Sequence, residues 1–109
     1  MSWLLRDGEV LAALEVADTR SARRRGLLGR DGFEGALLLR PARAVHTVGM
    51  RFPLDVAYCD DDLRVLETVC MKQRRFGAPR WRARAVLEAQ AGAFERWGLR
   101  PGDHLEIKG

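Results

Sequence analysis

The stretch 54-LDVAYCDDDLRVLETVCM-71 holds two apolar runs, Leu54 to Cys59 and Leu63 to Met71, either side of Asp60-Asp61-Asp62. Three consecutive carboxylates do not continue a buried strand, but their oxygens accept from nearby backbone N–H groups and so hold a turn. The β-branched and aromatic content of the two runs then makes them the arms of a β-hairpin. Strand side chains alternate, which places Val56 and Tyr58 on one face with Val65, Val69 and Met71 as their partners. Cys59 and Cys70 fall out of register in that hairpin, outside the ~4.4–6.8 Å Cα separation of a disulfide, so two buried, reduced thiols are expected.

Upstream, apolar runs flank Arg6-Asp7-Gly8-Glu9, and Asp-Gly is a strong signal for a two-residue hairpin loop because both central residues of a type I′ turn need positive φ. Strands are expected near 2–6 and 9–17, the second with Val10, Ala12, Leu14 and Val16 on one face and Glu15 on the other. In 18-DTRSARRRGLLGR-30, Asp18 or Thr19 can cap a short helix and Gly26 or Gly29 can end it. The run 35-GALLL-39, closed by Pro41, is too short for a helix and reads as a fully buried strand. Downstream of the hairpin, 72-KQRRFGAPRWR-82 reads as a loop broken by Gly77 and Pro79. A strand follows over 83–90, in which Ala85, Leu87 and Ala89 alternate with Arg84, Val86 and Glu88. One or two helical turns over 91–98 end at Gly98, Pro101-Gly102 suits a type II turn, and a last strand spans 104–107. Trp3 and Trp97 are expected as core or edge anchors. Many short strands at close spacing with one or two short helices make the chain mostly β, a β-sandwich or barrel-like fold.

The 109 residues, 47% hydrophobic and 31% charged, suit one domain over 1–109, since two cores of half this size would each be marginal. No run approaches the ~18 apolar residues of a membrane span, and MSWLLRDGEVLAALEV lacks the basic and apolar regions of a signal peptide, so a cytoplasmic protein is expected. Two cysteines without a CxxC, and two histidines away from them, give no metal site, and no motif asks for a cofactor. The net charge of +4, carried almost wholly by arginine, admits nucleic acid as a partner without requiring it.

The segments 23-RRRGLLGR-30, 35-GALLL-39, 45-VHTVGMRFPLDVAY-58, 83-ARAVLEAQAG-92 and 99-LRPGDHLEI-107 together resemble the DUF192 family, in the same order and over nearly the whole chain. That resemblance implies a compact, mostly β single domain and no established reaction, cofactor or substrate.

The functional candidates cluster in the irregular segment around HTVGMRFPLD. His46 titrates near neutral pH, Arg51 or Arg43 can fork an anion, and Met50 offers an apolar wall. With Thr47, Asp55 and Arg24 these residues suggest a non-enzymatic module whose shallow pocket takes a small anionic molecule or a peptide. Structural roles compete at each position: a hydrogen-bonded histidine, a packed methionine, and an aspartate that pairs with Arg51 or caps backbone. An alternative is a basic nucleic-acid adaptor, using Arg74, Arg75, Phe76, Arg80, Trp81 and Arg82 to grip phosphates and stack bases. A third reading, a hydrolase or transferase built on His46 and Asp55, lacks a visible nucleophile. Gly26-Leu27-Leu28-Gly29 lacks the lysine and hydroxyl of a phosphate loop and follows a helix instead of opening one. No protein partner is indicated.

Overall fold

The computed structural model describes residues 2–109. The Asp7-Gly8 turn forms with both residues at positive φ, 52° and 78°, and joins β1 (Ser2–Arg6) to β2 (Glu9–Ala17). Thr19 caps the following helix, α1 (Arg20–Arg25), its hydroxyl accepting from the Ala22 N–H at 3.1 Å. Helix α1 ends at Gly26, earlier than the limit of the basic segment, and carries the chain over to β3 (Ala36–Leu39), which runs parallel to β2. The hairpin of β5 (Leu54–Cys59) and β6 (Val65–Met71) forms around Asp60, whose carboxylate accepts from the N–H groups of Asp62 and Arg64, both at 2.9 Å. Between these lie β4 (Val45–His46) and, after β6, β7 (Phe76–Gly77), which pair with each other as a separate two-stranded ribbon inside the expected loop. The chain closes with β8 (Ala85–Gln90), α2 (Ala93–Trp97) and β9 (Leu105–Lys108).

The strand order β6-β5-β8-β3-β2-β1-β9 makes one seven-stranded sheet. It curls until its two ends touch. Arg64 bridges to His104, the Val65 N–H donates to the Asp103 carbonyl at 2.8 Å, and the Leu105 N–H donates to the Leu63 carbonyl at 3.0 Å. Of the two architectures left open by the sequence, the barrel-like one forms. One core cluster includes Leu4, Leu14, Leu38, Leu87 and Leu105 and is plugged by Phe94 of α2. A second cluster on the opposite face of the central strands contains Leu27, Leu37, Val56, Tyr58 and Val86. Strands β3, β5 and β8 are therefore buried on both faces, which is why Ala36 to Leu39 is continuously apolar. Among the described residues no helix is long and apolar enough to cross a membrane.

Several expectations need correction. A bulge after Tyr58 pairs Cys59 with Val65 and skips Leu66, so Val65 joins the first cluster, away from Val56 and Tyr58. A second irregularity, between Leu4 and Leu5, skips Leu11 and leaves Val10 54% exposed while Leu14 is buried; Val16, which shares the parity of Leu14, is 40% exposed as well. Only Cys59 is buried, and Cys70, opposite Asp55, is exposed. In β8, Val86 and Glu88 are as sealed as the alanines and leucine between them.

Candidate functional site

Thr47 fastens the HTVGMRF segment to the arginine-rich one. Its hydroxyl donates to the Lys72 carbonyl at 2.6 Å and accepts from the Arg75 N–H at 2.9 Å; its own N–H donates to the Arg75 carbonyl at 2.8 Å. Its carbonyl accepts from Met50 and Arg74, both at 3.1 Å, so every polar group of this fully buried residue is engaged within the protein. The lock holds β4 against β7 and sets the exposed His46 ring beside Phe76, with centroids 5.9 Å apart.

On the other side of β4 a cleft opens toward α1. One wall carries Arg23, Arg24, Arg25 and Leu27, the other Ala44, Val45 and His46, with Met50 and Leu39 adding apolar surface. Arg23 is fixed, its guanidinium donating to the Asp18 carbonyl at 2.9 Å and the Arg40 carbonyl at 3.4 Å, whereas Arg24 and Arg25 are exposed. The cavity is about 70 Å³, room for about two waters at the ~30 Å³ that each occupies in the liquid.

Glu88 also lines this cavity. It stands on β8 between Leu37 of β3 and Val56 of β5, only 4% exposed. Gly26 lies beside it: a Cβ there would meet Glu88 Oε1 at 3.5 Å, an ordinary contact. Among the described residues no side chain or N–H donates to the Glu88 carboxylate, and burial pushes its pKa up to about 7. An ionisable group with a shifted pKa in a cleft is a functional candidate in physical terms. Sequence reasoning missed it because strict alternation put Glu88 on the outer face of β8. The available signal was an acid inside the otherwise apolar run AVLEA of a strand long enough to be central.

The remaining candidates go elsewhere. Asp55 is buried on β5 and its Oδ2 accepts from the N–H groups of Gly92 and Phe94, at 2.9 and 3.0 Å, which caps α2. Its groove is shared with Thr68, Cys70 and Glu95, not with His46. Arg51 pairs with Asp31 at 2.6 Å on the surface, and Arg43 is exposed, its carbonyl accepting from the Arg80 N–H at 2.9 Å. His46, Met50 and Arg24 are thus brought together, and Thr47, Arg51, Asp55 and Arg43 do not line the cleft.

In the arginine-rich segment Arg80 is committed internally. Its guanidinium forks the Glu67 carboxylate at 2.8 and 3.1 Å and lies 4.4 Å from the Tyr58 ring centroid, and this contact holds the Glu67 pKa below the ordinary value. The Tyr58 hydroxyl is buried beneath Gly77 without a hydrogen-bond partner among the described residues, and a Cβ at Gly77 would come within 2.6 Å of it. Phe76 and Trp81 do not pack onto the core: they are 79% and 80% exposed.

Two solved structures share the fold. One, of a protein of unknown function from Novosphingobium aromaticivorans DSM 12444, matches with a TM-score of 0.76 and 23% identity over 96% of this chain and 82% of that one. The other, of a proposed transcription regulator from Sinorhizobium meliloti 1021, matches with a TM-score of 0.83 and 22% identity over 97% of this chain and 91% of that one. Among curated proteins no relative matches. The family model DUF192, described as an uncharacterized ACR group, matches residues 3–107, and with its motifs spread from α1 to β9 the chain belongs to the DUF192 family.

Proposed function

We propose that the protein is a non-enzymatic binding module whose α1–β4 cleft takes a small anionic ligand that also carries a hydrogen-bonding group. The observation that carries this reading is Glu88: a buried carboxyl without an internal partner, at a cavity rimmed by three arginines and His46. Its oxygens open onto the cavity, where a ligand hydroxyl or amide would bond to them in place of water. The arginines supply the anion's partners at the mouth, and Leu27, Leu39 and Met50 its apolar wall. Catalysis by His46 and Asp55 is disfavoured because the Asp55 carboxylate is engaged on α2 and does not orient the imidazole.

An amide chemical-shift titration with inorganic phosphate, small hydroxy acids and short peptides tests the site. Saturable shifts are expected at Arg24, Gly26, His46 and Glu88. Arg24→Ala should weaken binding roughly 10-fold, the loss of one charge-assisted hydrogen bond. Shifts confined to Arg51 or the Asp55 groove would move the site away from the cleft and end this reading.

A further inference from the structure

The cations of the chain are segregated. Residues 20–25, 40–46 and 72–84 hold 12 of the 19 Lys and Arg and none of the 15 Asp and Glu, so the rest of the chain carries a net charge of −8. The fold joins these three segments into one surface. Arg23 donates to the Arg40 carbonyl, β4 pairs with β7, the Arg80 N–H donates to the Arg43 carbonyl at 2.9 Å and the Ala42 N–H donates to the Arg84 carbonyl at 3.0 Å. Among the described residues a neighbouring acid reaches in to neutralise only two of these cations, Glu67 on Arg80 and Asp61 on Arg40. On the same surface lie Phe76 and Trp81, each about four-fifths exposed, their Cα atoms at most about 18 Å apart along the chain. Single exposed apolar residues are ordinary, but two nearly bare rings among unpaired arginines combine a π-face with phosphate contacts.

We propose that this face binds single-stranded nucleic acid, with Phe76 and Trp81 stacking bases and Arg74, Arg75, Arg82 and Arg84 contacting the backbone. Base stacking on aromatic side chains tolerates any sequence, and a groove of unpaired cations follows the phosphates. Duplex readout is disfavoured by the architecture: α1 has six residues, none buried, and is too short to lay a recognition helix into a major groove. The proposal does not use the Glu88 cleft, because Phe76, Trp81 and the arginines of 72–84 do not line it.

Fluorescence anisotropy of a labelled oligothymidine of about 15 nucleotides tests it. With about four phosphates neutralised, affinity should fall roughly 50-fold between about 50 and 200 mM salt. Phe76→Ala and Trp81→Ala should each weaken binding by about 10-fold while leaving the salt slope intact, and Arg74→Ala with Arg82→Ala should flatten the slope. These side chains are exposed, so the variants should melt with the parent, and Glu88→Gln should bind the oligonucleotide as the parent does. Absence of binding at low salt overturns the proposal. So does equal affinity for duplex, heparin or phosphatidylserine vesicles that persists when both rings are removed, since that would be polyanion attraction alone.

Discussion

Glu88 is where the sequence pattern and the folded protein differ most usefully. In the unfolded chain its carboxyl titrates near the ordinary 4.5, and in the fold at about 7. The folded state therefore holds the proton more tightly. Stability linked to the neutral acid is complete below about pH 4.5 and is lost as pH rises through 7. A shift of this size corresponds to about 3 kcal/mol. Glu88→Gln keeps the shape and removes the titration, so its urea stability should match the parent at pH 4.5 and exceed it by about 3 kcal/mol at pH 8. A difference between the two proteins that is the same at both pH values would show that Glu88 is not held neutral by its surroundings.

At the scale of elements, α2 shows how a residue that looks functional serves the fold. Its first position is preceded by Gly92 at φ 99°, which offers no side-chain cap, and the cap comes from Asp55 on β5. Asp55→Ala leaves two N–H donors short of a partner and should cost about 2 kcal/mol in urea unfolding, with Asp55→Asn costing less. Phosphate shifts at Arg24 and His46 should survive the change; their loss in a folded variant would return Asp55 to the binding site. The elements themselves were largely legible. Asp7-Gly8, Asp60 to Asp62 and Pro101-Gly102 each have one favourable backbone solution, so the hairpins and the last turn follow from local chemistry. The bulges were not legible, because an extra residue in a strand transfers everything beyond it to the opposite face and no apolar pattern marks its place. Val65 and Val10 were misassigned for that reason. Asp55, Thr47 and Glu88 were harder still: their partners lie 25 or more residues away or, for Glu88, are absent, and only the folded sheet shows which.

For the whole molecule, the curl of the sheet and the separation of charge act together. Closing β6 onto β9 leaves α1, the β4–β7 ribbon and the arginine-rich segment on one side, where their guanidinium groups repel one another in the free protein. Simple screening relieves that repulsion for any salt of equal ionic strength, since the Debye length falls to about 8 Å at physiological strength whatever the anion. A built anion site adds stabilisation that depends on the identity of the anion. Phosphate at about ten times its Kd contributes ~1.4 kcal/mol, worth roughly 6 °C in Tm for a domain of this size. The melting temperature should thus rise more in phosphate than in chloride at matched ionic strength, and the excess should vanish when Arg24 and Arg25 are both replaced by alanine. Equal effects of the two anions would reduce the arginine rim to a diffuse field, and the cleft would then have no claim on an anionic group. An excess that survived the double replacement would place the anion on the ribbon side of β4, among Arg74, Arg75 and Arg82.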